Sequence, residues 1–154
     1  MHPDTMRFID RWAGIPLCFF TSLLLLKKNK TVASKKVADT IVFIGIAEIG
    51  ALVVAFPAIQ EARKQNPNSR VCFITAPAGK QTLELMGFDE KDILLIRTSS
   101  IQNILGDIIK LRNAFKKVSV SAVVLEPFTR FSTLVASWIG ASKRIGCYRF
   151  LAEG

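Results

Sequence analysis

The sequence is poor in the side chains from which metal centres, disulfide frameworks and cysteine or histidine catalysts are built. One histidine, His2, and three cysteines, Cys18, Cys72 and Cys147, are scattered over 154 residues with no C-x-x-C pair. A structural zinc site needs four clustered ligands and a disulfide framework needs paired thiols, so neither is expected and no metal site is assigned. The cysteines lie in apolar segments and read as small buried residues of a reducing compartment. Acid is scarce as well: 12 Asp and Glu face 21 Lys and Arg, a formal net charge of +9. No zinc knuckle, helix-turn-helix or RNA-stacking motif accompanies the excess, so nucleic acid is not the expected partner. There is no internal repeat or low-complexity tract, and a hydrophobic content of 50% excludes a disordered tail.

What is present begins with an uneven placement of charge. Residues 1–36 hold seven Lys and Arg against two Asp. Around Phe8, Ile9, Trp12 and Ala13 the pattern is amphipathic, Gly14-Ile15-Pro16 interrupts it, and Leu17 to Leu26 is apolar on nearly every face before Lys27, Lys28 and Lys30. Trp12 to Leu26 is fifteen residues, or roughly 22 Å of helix against a hydrocarbon core of roughly 30 Å. That length predicts a peripheral or monotopic anchor over residues 1–30 rather than a span. Lysines in place of small residues after the apolar run argue against signal cleavage. The Lys collar points to the cytoplasmic face of a membrane, with the lipid surface as partner and residues 31–39 as linker.

From Thr40 the chain reads as a globular domain, 40–154. Ile41 to Ile44 is a β-branched and aromatic run without polar alternation, which suits a parallel strand covered on both faces. The turn Ile46 to Gly50 follows, and from Ala51 apolar residues recur at helical spacing up to Arg63 and Lys64. The same alternation continues. Strands are expected at Val71–Thr75, Ile93–Ile96, Ala122–Leu125 and Arg144–Cys147, and helices at Lys80–Met86, Ile101–Phe115 and Phe131–Ile139, with Gly87 and Gly140 as left-handed caps. In the helix 101–115, one stripe of Ile101, Ile104, Leu105, Ile108, Ile109 and Leu111 is expected to pack on the sheet. Short connections between alternating strands and helices predict an α/β fold, a Rossmann-like doubly wound parallel sheet of about five strands in order 3-2-1-4-5.

In such a sheet, ligands bind beyond the carboxyl ends of the strands, so the turns there are tested first. Gly45 and Gly50 are five positions apart, which is not the dinucleotide spacing, and no acidic residue ends the second strand to hold a ribose. Ala51-Leu52 stand where a P-loop needs Lys and Ser or Thr, and the acids of a receiver domain are missing. The remaining polar residues lie on three turns: Glu48 and Gly50; Thr75 with Ala76 to Gly79; and Glu126, Thr129, Arg130 and Ser132. Arg130 at a helix start opposes the helix dipole unless it binds an anion or pairs with Glu126.

Two segments, IVFIGIAEIGALVVAFPAIQEARKQNPNSRVCFITAPAG and VVLEPFTRFSTLVASWIGASKRIGCYR, resemble glycosyltransferase family 9, the lipopolysaccharide heptosyltransferase-like enzymes. The resemblance runs over about Thr40 to Phe150, and the order and spacing of its motifs carry it. It implies the acceptor-side half of a GT-B enzyme, inverting and metal-independent, whose carboxyl-terminal donor domain is absent from this chain. The implied reaction moves a heptose-like sugar from a nucleotide-sugar co-substrate, with no other cofactor, to a lipopolysaccharide-core or other lipid-linked acceptor at the inner membrane. The family carries a Gly-Asp pair after the first strand, its Asp serving as base. Here Gly50 is followed by Ala51, and Glu48 is the carboxylate left on that turn. The resemblance thus gives Glu48 as the catalytic residue and Gly50, Ala51, Glu126, Thr129, Arg130 and Ser132 as acceptor-binding. The contrasting expectation is a non-catalytic, membrane-tethered Rossmann module that binds an anionic ligand or a protein.

Overall fold

A computed structural model of the chain describes Pro16, Phe19 and residues 39–126 and 130–146. Five strands form one parallel sheet in the order β3-β2-β1-β4-β5: β1 Thr40–Gly45, β2 Arg70–Thr75, β3 Ile93–Leu95, β4 Val120–Val124 and β5 Lys143–Ile145. The expected order is the observed one. β1 is central, and every one of its residues is buried, as a strand covered on both faces requires. The register sets Gly45 beside Thr75 and Ile44 beside Val124, so β1, β2 and β4 end at one edge.

Alternation along β1 feeds two apolar layers. Ile41 and Phe43 join Leu52, Ile59, Val71, Phe73 and Leu83 on one side of the sheet, under α1 (Ile49–Gln65) and α2 (Pro77–Leu85). Val42 and Ile44 join Ile108, Leu111, Phe115, Val135 and Ala136 on the other, under α3 (Ile101–Phe115) and α4 (Arg130–Trp138). Each large aliphatic or aromatic side chain removed from water in this way contributes roughly 1.5–3 kcal/mol. In the first layer Phe43 stacks on Phe73 at 5.8 Å, and Phe73 meets Phe88 at 4.4 Å.

Four local expectations change. α1 begins at Ile49, so Gly50 lies inside the helix and the turn is only Ile46, Ala47 and Glu48. The helix also runs through Pro57; the ring denies a donor to the Val53 carbonyl, and Val53 is half exposed, where water can reach it. α2 starts at Pro77, three residues ahead of the expected Lys80, because proline is favoured at a first helical position that needs no donor. α3 keeps its predicted ends, but its packing stripe is Ile104, Ile108, Leu111 and Phe115, while Ile101, Leu105 and Ile109 are exposed. The last two strands sit one or two residues earlier than expected. Gly87 and Gly140 have φ of 81° and 84°, the left-handed caps expected of them.

The anchor expected over residues 1–30 and the linker 31–39 lie outside the described residues apart from Pro16, Phe19 and Asp39. Among the described residues no helix is long and apolar enough to cross a membrane.

Candidate active site

The carboxyl edge of the sheet is assembled from the middle outward. β1 ends at Gly45, the buried Ile46 turns back into the core, and the chain crosses to α1 through Ala47 and Glu48. On the neighbouring strand the Leu125 N–H donates to the Ile44 carbonyl at 2.9 Å, which brings Glu126 directly beneath that crossing. The Glu126 side chain is 3% exposed. Its Oε1 accepts the backbone N–H of Ala47 and, at 2.9 Å, that of Glu48, while its Oε2 accepts the Ser132 hydroxyl. Ser132, in the first turn of α4, is fully buried. A carboxylate in this position removes two orphan backbone donors and is itself satisfied by three, so a costly burial becomes a bracket joining the turn after β1 to the one after β4.

The bracket fixes the backbone of Glu48 and leaves its side chain unengaged. Glu48 is the N-cap of α1 with φ −122° and ψ 101°, and its carbonyl accepts the Ala51 N–H at 3.2 Å, yet its carboxylate caps no helix N–H. No hydrogen bond or ion pair among the described residues holds that carboxylate. It is half-buried, at the positive end of α1, where a negative charge is favoured. A carboxylate with open lone pairs on a rigid backbone is suited to take a proton from a bound hydroxyl.

Of the other residues singled out from the sequence, Gly50 is exposed on the first turn of α1 with open space where a Cβ would stand, and Ala51 is half-buried behind it. Arg130 opens α4 and is half-buried, within the same edge of the sheet; Thr129 lies outside the described residues. Glu126 and Ser132 are turned inward, toward the turn and each other. Thr75, at the end of β2, is also buried, its hydroxyl packed against Gly79, so close that a Cβ there would lie 2.1 Å away.

Two features of the structure leave no signal in the sequence pattern. Arg97, just past β3, donates to Asp107 of α3 through its backbone N–H at 3.0 Å, Nε at 3.0 Å and Nη2 at 2.8 Å. The guanidinium hydrogen bonds hold the Asp107 carboxyl below its ordinary range. An Arg and an Asp ten residues apart give no local signal of such a pair. The other is the bracket itself, whose partners are 78 and 79 residues apart. Cys72 is buried in β2, and burial pushes its thiol up to about 11, so it is no nucleophile. Among the described residues no group of three or more His, Cys, Asp or Glu could hold a metal ion.

No family model matches the chain, and no curated protein sequence matches it. Among solved structures, it is similar to the glycosyl transferase family 9 protein from Veillonella parvula DSM 2008, with a TM-score of 0.56 over 75% of this chain. The chain has a glycosyltransferase-like fold. At 16% identity the likeness is one of fold, and the chain spans 34% of the length of that protein.

Proposed function

We propose that residues 40–154 are the acceptor-side domain of an inverting glycosyltransferase, with Glu48 as its general base. The observation that carries the reading is the Glu48 carboxylate, which has no partner among the described residues and stands on a backbone fixed by the buried Glu126. In the proposed step, Glu48 takes the proton of an acceptor hydroxyl as that oxygen attacks the anomeric carbon of a nucleotide-sugar. The bond from that carbon to the nucleoside diphosphate breaks and the diphosphate leaves from the opposite face. Gly50 and Ala51 border the acceptor, and Thr129 and Arg130 meet its anionic groups, while Glu126 and Ser132 serve from beneath as the bracket. The transferred sugar is heptose-like, and the acceptor is a lipopolysaccharide core or another lipid-linked glycan. The fold likeness supports the reaction class. The apolar, Lys-collared residues 1–30 support a site at the cytoplasmic face of the inner membrane, held there without a span.

The test is Glu48→Gln in a form of the protein that carries a donor-binding domain. The amide keeps the shape and loses the basicity, so kcat should fall by roughly 10²–10⁴ with acceptor affinity nearly unchanged. Turnover at the wild-type rate would remove Glu48 as the base.

A further inference from the structure

α3 carries two apolar stripes, and only one of them is used by the core. Ile104, Ile108, Leu111 and Phe115 face the sheet. Ile101, Leu105 and Ile109, spaced four apart on the outer side, are 69%, 49% and 59% exposed. On a helix of 3.6 residues per turn the same outer stripe continues into Arg112 and Lys116, which are also exposed. The face is thus apolar over its first turns and cationic over its last. Among the described residues no carboxylate pairs with Arg112, Lys116 or Lys117.

The amino-terminal segment has the same chemistry in the same order, Leu17 to Leu26 followed by Lys27, Lys28 and Lys30. At the start of the domain, Asp39 and Thr40 lie beside the cationic end of α3. The Thr40 N–H donates to the Ser119 carbonyl at 3.0 Å, and the Ser119 N–H donates to Asp39 Oδ2 at 3.1 Å, two residues beyond Lys117. α1 also exposes apolar residues, Ile49 and Val53, but its last turns carry Glu61, and its Arg63 guanidinium is spent over the Phe88 ring at 5.1 Å. Among the described residues α1 sets one unpaired cation, Lys64, on its apolar stripe, whereas α3 sets two, Arg112 and Lys116, with Lys117 beside them.

We infer that the outer face of α3 lies on an anionic lipid surface, with Ile101, Leu105 and Ile109 among the acyl chains and Arg112 and Lys116 at the phosphates. This is the geometry of an interfacial amphipathic helix, here one whose other face is built into a folded domain. The inference rests on the proposed association of this chain with a membrane. It adds which side of the domain meets the bilayer.

A photo-crosslinking residue, p-benzoylphenylalanine, placed in the full chain at Leu105, Val54 or Trp12 tests it on vesicles of phosphatidylcholine with and without phosphatidylglycerol. Val54 is 82% exposed on the other layer and is the control. The expected result is a lipid adduct at position 105 several-fold above that at 54, lost without phosphatidylglycerol and lost with Arg112→Glu/Lys116→Glu. Adducts at 12 but none at 105 overturn the inference and leave the anchor standing; adducts at 105 but none at 12 overturn the anchor alone. An adduct at 105 to a second copy or another protein, or lipid adducts equal at 105 and 54, or insensitive to charge, also overturns it.

Discussion

Glu126 is a case of a buried charge whose value depends on what it holds. Its carboxylate takes the N–H groups of Ala47 and Glu48 and the Ser132 hydroxyl, so replacing it leaves donors of the turn without partners in a buried setting. Glu126→Ala should destabilise the fold by roughly 2–3 kcal/mol. Urea unfolding of the two proteins measures this, and amide exchange at Ala47 and Glu48 should quicken in the variant even under native conditions. Asp107 works by a different route. Its folded carboxyl titrates below the ordinary range because the Arg97 guanidinium and backbone N–H bind the ionised form. The stability it lends is therefore fully present above the unfolded value of about 4 and is lost as pH falls through the depressed folded value. The gap in urea midpoint between wild type and Asp107→Asn should be constant near neutrality and close on acidification below about pH 4. A gap that widens with acid would mean that the pair is not what stabilises this end of α3.

At the scale of elements, two glycines at the starts of helices have opposite reasons for being there. Gly79 lets α2 begin hard against β2: a Cβ would stand 2.1 Å from Thr75 Oγ1 and 3.2 Å from Leu52 Cδ1. Gly50, in the first turn of α1, has nothing within 4 Å of a Cβ. Gly79→Ala should cost about 1–3 kcal/mol by overpacking, whereas Gly50→Ala should stabilise by up to about 1 kcal/mol through reduced backbone entropy. Thermal unfolding compares them directly. A Gly50→Ala protein that is more stable but binds acceptor less well would mark Gly50 as kept for ligand approach. The helices also show where sequence patterns stop being informative. The extent of α3 is legible in the helical spacing of its apolar residues from Ile101, and its start is held by Ser100, whose hydroxyl accepts the Asn103 N–H. Its buried face is not legible, because two apolar stripes share the helix and periodicity cannot rank them. Pro77 marks the start of α2, while Gly79 two residues later argues for a later one.

At the scale of the whole molecule, the strand order follows from alternating short strands and helices, since right-handed crossovers leave few alternatives once β1 is the most apolar strand. The candidate site is legible in the sequence only in outline. Their positions after strands put Glu48, Glu126, Arg130 and Ser132 at the carboxyl edge, where the structure has them. Which of them faces a ligand and which holds another in place depends on contacts between residues nearly eighty positions apart, and these leave no periodicity to read. This edge is the proposed site of an acceptor sugar. The most direct test is amide NMR of the isotopically labelled chain, titrated separately with a lipopolysaccharide-core oligosaccharide and with a nucleotide-sugar. The oligosaccharide should shift the amides of Ala47, Glu48, Gly50 and Arg130, and the nucleotide-sugar should leave them in place. A nucleotide-sugar that shifts this turn, or an oligosaccharide that shifts only residues elsewhere in the domain, would contradict the claim.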